Sequence, residues 1–405
     1  MEFPALSVVL LLILIAIYVH FRQKAAAADS ISLKAFVSAY PEALDAARTM
    51  KKKLKLISIV NPIGGAGKGK VIGKLLDEVC KLLGHDLTLI ETQHRGHAEE
   101  IVSTTFTNNS SFDCCICVSG DGMLNEILNT LLKNKHTSSE SQLSTEYDEN
   151  THDSITPSQK SFRKITIPLM ILPTGTGNGV ATSLGVNDIL KSLSTLISYK
   201  RTAVDLTQLR VGRDFLTHSI LSTSWGFIAD SDAMCEGSLR WMGTIRLLLA
   251  PLYYIIRNKA YDGRLEFVMA ESESQQEFTL PHKTRIENGK TWTEIDGQFS
   301  VATAINLPWL ASDIYLAPDC GLADGDMTLL FLPSVSRFKL LKMFAQAESG
   351  SHVNSPIGNI VKVTEVRIIP TGNDDGNIVY DGETAPYGPL HLRSLPQAVT
   401  FLTPS

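Results

Sequence analysis

The chain has 405 residues, is 44% hydrophobic and carries a formal net charge of -5. That length accommodates two ordinary domains with real cores and excludes disorder throughout, and the charge leaves no basic surplus of the kind a nucleic-acid binder needs. Any anion site must therefore be local, and the six cysteines, with Cys114, Cys115 and Cys117 in one apolar run, read as buried reduced thiols rather than a disulfide framework or zinc site.

Taken in order, residues 5–21 are almost wholly apolar, near the lower limit for one bilayer-spanning helix. Only Glu2 precedes them, where a signal peptide would carry positive charge. Arg22, Lys24, Lys34, Arg48 and the lysines at 51–53 follow, which by the positive-inside rule places the remainder in the cytoplasm. The expectation is a single N-terminal transmembrane helix over 1–24, retained as an anchor, then a linker over 25–54, with a single-pass membrane localisation.

A strand is predicted over Lys55–Val60, followed by Asn61, Pro62, Ile63, Gly64 and Gly65 and a helical pattern through Ile72, Leu75, Leu76, Val79 and Leu82. Gly64, Gly69 and Lys70 match the spacing of a P-loop, but Val71 stands where a magnesium-binding hydroxyl belongs, so a Walker site is improbable. Backbone contact with phosphates and a flexible connector are the two readings of this loop. The next strand covers 85–91, and Thr92 leads into a helix whose His97 reads as a helix-start or packing residue. Another strand covers 114–118, and Gly120, Asp121 and Gly122 then open a helix marked by Met123, Leu124, Ile127, Leu128, Leu131 and Leu132. A carboxylate on such a strand-to-helix turn is well placed to take a proton from an attacking hydroxyl, although a plain Gly-Asp-Gly turn explains the same residues.

Residues 133–164 are polar and are expected to be a disordered insertion. A strand over 165–172 leads to a third glycine loop with Gly175, Thr176, Gly177, Asn178 and Gly179. In an open parallel sheet, loops at the carboxyl ends of the strands share one edge, so these loops should converge on one crevice and favour nucleotide binding over the turn-only reading. From about residue 201 alternating strands predict a largely antiparallel β lobe, with a polar loop over 271–294. Between its early strands lies an apolar helical region through Trp241, Ile245, Leu248, Tyr253 and Ile256, too short and too broken by Arg246 and Pro251 to span a membrane. Core and the wall of a lipid-chain pocket are its two readings.

Together these residues resemble the diacylglycerol-kinase catalytic superfamily, and within it the sphingosine (long-chain-base) kinases. The resemblance rests on Asn61 and Pro62 with Gly64 and Gly65, on Ser119 to Gly122, on Pro173 with Gly175, Thr176, Gly177 and Asn178, on Trp225 to Asp230, and on Tyr380, Asp381, Gly382 and Glu383. It covers nearly everything from residue 55 onward. It implies an α/β nucleotide-binding lobe (55–200) with a parallel sheet, followed by a β-sandwich lipid-binding lobe (201–405), the active site lying between them.

The resemblance implies ATP and Mg2+ as cofactors, a sphingoid-base lipid and the membrane as partners, and Asp121 as the base that deprotonates the lipid's primary hydroxyl. Ser119, Gly120 and Gly122 fall at substrate positions beside it. Asn61, Pro62, Ile63, Gly64, Gly65, Thr92, Gly120, Glu126, Gly175, Thr176 and Gly177 match nucleotide positions, as do Arg240 and Arg246 for phosphates and Asp381, Gly382 and Glu383. Asp232 matches the carboxylate that holds the substrate's ammonium, a group that diacylglycerol and ceramide lack. Ile63 and Ala66 stand where relatives often place cations, which leaves the first loop less positive. Diacylglycerol or ceramide kinase, NAD kinase and a membrane-tethered lipid-binding protein without catalysis are the competing readings.

Overall fold

The computed structural model describes residues 31–41, 44, 53–107, 111–133, 164–273, 278, 280–372 and 376–404. The first lobe is built from β1 (Lys55–Val60), β2 (Asp86–Glu91), β3 (Cys114–Ser119) and β4 (Leu169–Pro173), all parallel in the order β2-β1-β3-β4. Apolar runs make these strands because helices cover both faces. Side chains alternate accordingly: Cys114, Ile116 and Val118 face one core, whereas Cys115 and Cys117 face the other. All six cysteines are free and buried, and burial pushes the Cys115 thiol up to about 12.

One face carries α1 (Leu33–Ala39) and α2 (Gly64–Leu83), and the other carries α3 (His97–Thr107), α4 (Asp121–Lys133) and the short α5 (Gly179–Ser183). A further helix, α6 (Ile189–Ser198), joins the first face through Ile189, Leu193 and Leu196. Phe36 of α1 is fully buried in that core, so part of the expected linker is a packed element. Helix α2 begins within the first glycine loop rather than after it, because Gly69 has no side chain to meet the Asn61 carbonyl, 1.9 Å from where its Cβ would lie.

The second lobe is antiparallel, as expected. It comprises β5 (Lys200–Val211), β6 (Phe215–Ser219), β7 (Ser222–Gly226), β8 (Tyr261–Met269), β9 (Lys283–Glu287), β10 (Lys290–Ile305), β13 (Met327–Pro333), β14 (Asn359–Pro370), β15 (Ile378–Tyr380), β16 (Glu383–Ala385) and β17 (Leu390–Thr403), with a separate hairpin of β11 (Trp309–Ala311) and β12 (Ile314–Tyr315). Its outer face carries α7 (Phe227–Glu236), a 3-10 turn (Arg240–Ile245), α8 (Arg246–Arg257) and α9 (Arg337–Ala347), packed round Phe227, Ile255, Leu332 and Leu340.

Two expectations are corrected. Residues 283–294 are not a loop: β9 and β10 form a hairpin there, held by charge rather than by apolar alternation, with Arg285 bridging Glu266 at 2.8 Å and Glu294 at 3.2 Å. Among the described residues no helix is long and apolar enough to cross a membrane, so the single transmembrane helix and the single-pass membrane localisation do not stand. The segment 5–21 from which they were inferred, and the insertion 134–163, lie outside the described residues.

The lobes are not cleanly separable at residue 200. Strand β17 runs antiparallel to β5 and meets β4 in parallel at Phe401 and Leu169. Phe401 then enters one core of the first lobe and Leu402 the other. A second junction is made by Asp381, whose buried carboxylate accepts hydrogen bonds from Asn125 Nδ2 and Ser219 Oγ, both 2.7 Å, and from the amides of Ile220 (2.7 Å), Leu221 (2.9 Å) and Ser222 (3.0 Å). Removing that carboxylate strands the amides of Ile220, Leu221 and Ser222 away from water, while Ser219 and Asn125 keep second acceptors in the carbonyls of Ser222 and His218. Asp381→Ala should therefore cost at least ~3 kcal/mol, read as a lowered urea midpoint, and a wild-type midpoint would show that the junction does not depend on it.

Candidate active site

Order β2-β1-β3-β4 places a topological switch point between β1 and β3, and the first two glycine loops leave the sheet on either side of it. The third follows β4 on the same edge. Their convergence is physical contact: a Cβ on Gly175 would lie 2.4 Å from Gly120 Cα, so the second and third loops touch backbone to backbone. Asn178 holds the third loop in shape. It takes the left-handed conformation (φ 54), which asparagine tolerates, and its amide both accepts from the Gly175 N–H (3.0 Å) and donates to the Gly175 carbonyl (2.9 Å). The first loop is tied in by the Asn61 N–H on the Val118 carbonyl at 3.0 Å.

Asp121 stands where these loops meet. Its two carboxylate oxygens accept from the amides of Gly179 at 2.8 Å and Val180 at 3.1 Å. The side chain keeps some solvent contact, yet the atoms crowded round it desolvate the carboxylate and push its pKa up to about 6, against the pull of those amides and with help from the Asp381 charge. Such a group is ionised near neutrality and has real basicity.

The other expected residues divide into those left open and those already engaged. Thr176 is exposed at the third loop and Ile63 at the first, Gly122 has open space where a side chain would be, and Ser119 is buried at the end of β3. Thr92 continues β2, its amide on the Val60 carbonyl at 2.8 Å. Glu126 instead accepts from the Glu99 amide (2.9 Å) in the first turn of α3. Asp381 is committed to the lobe junction, and its side chain offers nothing further to a ligand. Glu383, two residues on, reaches across to Arg95 at 2.6 Å.

Asp232 and the two arginines form a separate group on α7 and the segment after it. Arg246 is held by Glu236 at 2.7 Å, while Arg240 is exposed. Burial pushes the Asp232 carboxyl up to about 6, Glu236 adds to the shift and Arg246 opposes it. Its neighbour Asp230 is spent on the fold, accepting from Tyr261 Oη (2.6 Å) and from the Asn377 amide (2.9 Å).

Sequence reading missed Asn125, Asn129, Arg95 and the Gly179 and Val180 amides. Asn125 and Asn129 stand four residues apart on α4 and both donate to the His218 carbonyl. A helical spacing of polar residues in an apolar pattern was the available signal for that pair; the amides have none. Among the described residues one group of three metal-type ligands exists, His94, His97 and Glu100. His97 Nδ1 already accepts from the Gln93 N–H (3.0 Å) and its ring stacks on His94, which explains both rings without an ion.

Comparison with known proteins agrees with this geometry. The family model described as "Diacylglycerol kinase catalytic domain" matches residues 55–209, and the "YegS C-terminal NAD kinase beta sandwich-like domain" matches 255–403. Sphingosine kinase 1 of Arabidopsis thaliana is 30% identical over 365 residues, covering 82% of this chain and 69% of that one. Sphingosine kinase 1 of Homo sapiens is 28% identical, covering 82% and 87%. A crystal structure of a putative diacylglycerol kinase from Bacillus anthracis shares the fold, with a TM-score of 0.60, 16% identity and coverage of 87% and 96%. The chain belongs to the sphingosine kinase family, within the wider group built on the diacylglycerol kinase catalytic domain.

Proposed function

We propose that the protein is an ATP-dependent kinase that phosphorylates the primary hydroxyl of a sphingoid long-chain base. The observation that carries this reading is Asp121, a carboxylate with its pKa raised to about 6 at the contact of two glycine loops. The lipid oxygen attacks the γ-phosphorus of ATP, a new P–O bond forms as the bond to the bridging oxygen breaks, ADP leaves, and Asp121 receives the hydroxyl proton. Asn61, Gly64, Gly65, Gly175, Thr176 and Gly177 are assigned to the nucleotide, and Arg240 and Arg246 to its phosphates. Mg2+ would neutralise the charge of the phosphates it binds.

Asp232 is assigned the substrate's ammonium. A desolvated carboxylate without a hydrogen-bonded partner among the described residues rewards a cationic lipid, whereas the uncharged 2-position of diacylglycerol or ceramide leaves it unpaired. That difference favours a long-chain base over the neutral lipids. A panel of sphingosine, ceramide and diacylglycerol presented with Mg-ATP, products identified by mass, tests the choice.

Asp121→Asn keeps the size of the side chain and removes its basicity. Turnover should fall by about a hundredfold to ten-thousandfold while ATP still binds, and wild-type turnover in this variant would sink the assignment. For the wild type, kcat should drop about tenfold per pH unit below about 6, because protonation through the raised carboxyl pKa removes the base. A flat profile from pH 5 to 7 would contradict it.

Asp232→Asn should raise the KM for sphingosine by about thirtyfold or more, a loss of some ~2 kcal/mol, and leave the KM for ATP within about twofold. An N-acylated lipid, uncharged at that nitrogen, should lose little further. Equal losses on both lipids would make Asp232 structural.

A further inference from the structure

The hairpin of β11 and β12 leaves the second lobe and lies on the loop that holds Asp121. Its Ser312 N–H donates to the Gly177 carbonyl at 2.7 Å. The Trp309 N–H donates to Ser183 Oγ, at the end of α5, at 3.1 Å. Between these two bonds the carbonyls of Trp309 and Leu310 close on Gly179 so tightly that a Cβ there would lie 2.7 and 2.6 Å from them. Gly179 and Val180 are the residues whose amides engage the two oxygens of Asp121. The hairpin is stiff: the Trp309 and Tyr315 rings stack at 4.4 Å, and its base is closed by the Leu316 and Ala317 amides on the Pro308 carbonyl, both 3.1 Å. On its other side Leu310 and Ile314 pack against the apolar cluster of Phe227 and Ile255, between α7 and α8.

We infer that this hairpin, anchored through Ser183, is a positioning element for the reaction: it clamps the third glycine loop so that the Gly179 and Val180 amides hold the Asp121 carboxylate in place. The inference rests on Asp121 being the base. Ser183 touches neither Asp121 nor a substrate position; it acts through Trp309 and the loop. A further consequence is that the clamp joins the apolar helices of the second lobe to the carboxylate in the first, since one rigid hairpin contacts both.

The test uses the full chain with Ser183→Ala and Ser183→Thr, assayed for kcat and for KM of ATP across pH with sphingosine. Ser183→Ala removes the acceptor of the Trp309 N–H and loosens the clamp. Amide donors stabilise the ionised carboxylate, so weakening them moves the acid limb of the kcat profile to higher pH, by about half a unit or more, with kcat lowered roughly tenfold and KM for ATP within about twofold. Ser183→Thr keeps the hydroxyl and should restore both. An acid limb in Ser183→Ala that coincides with the wild type, or a threonine variant as impaired as the alanine one, would overturn the clamp. Asp121→Asn run alongside separates the two ideas: if it is inactive while Ser183→Ala is unshifted, only the clamp fails, whereas full activity in Asp121→Asn removes the base and the clamp's purpose together.

Discussion

The contact between Gly120 and Gly175 is the constraint on which the rest of the cleft depends. With 2.4 Å between a hypothetical Gly175 Cβ and Gly120 Cα, no other pair of residue types lets the loops after β3 and β4 meet. Once they meet, Asn178 can clasp Gly175, the start of α5 is brought over Asp121, and the carboxylate receives both its amides. A parallel sheet supplies the common edge; the two glycines turn a common edge into one site.

Carboxylates in this protein sort by how fully protein donors engage them. Asp381 takes five donors, Asp230 takes a tyrosine and Asn377, and Asp205 takes the amides of Gln397 and Gly325. Burying a charge is tolerable when hydrogen bonds replace its water, and these three are structural cement. Asp121 takes two amides, as Asp205 does, but keeps solvent contact where Asp205 is 1% exposed, and Asp232 lies beside Arg246 with desolvation the leading influence on it. Under-satisfied acids are the ones with capacity left for a proton or a cation, and these two are the aspartates to which the proposed function assigns chemistry.

Much of this was legible in the sequence. The first lobe announced itself because apolar runs and helical periodicity alternate with glycine turns, and Asp121 was singled out on the turn after β3. Less visible were elements defined by partners far away in the chain. Strand β9 is polar because arginine and glutamate pairs, rather than apolar alternation, hold it to its neighbours, and Arg367 stacks on Trp292 at 4.0 Å in the same region. Strands β15 and β16 have three residues each, too few to show a period. The amides that grip Asp121 have no side-chain signature at all. Asp230 and Asp232 are two residues apart in the same helix, and only the structure distinguishes the acid bonded to Tyr261 from the one left open.

The route of β17 has a consequence for how the chain is made. Phe401 and Leu402 fill opposite cores of the first lobe, yet a ribosome delivers them last among the elements described, long after β1 to β4 have emerged. Until then the β4 edge of the nascent parallel sheet is open, with apolar surface and unpaired backbone that invite association with other chains. The cores of the first lobe are therefore complete only once Phe401 and Leu402 are in place, which ties the final packing of that lobe to a strand of the second.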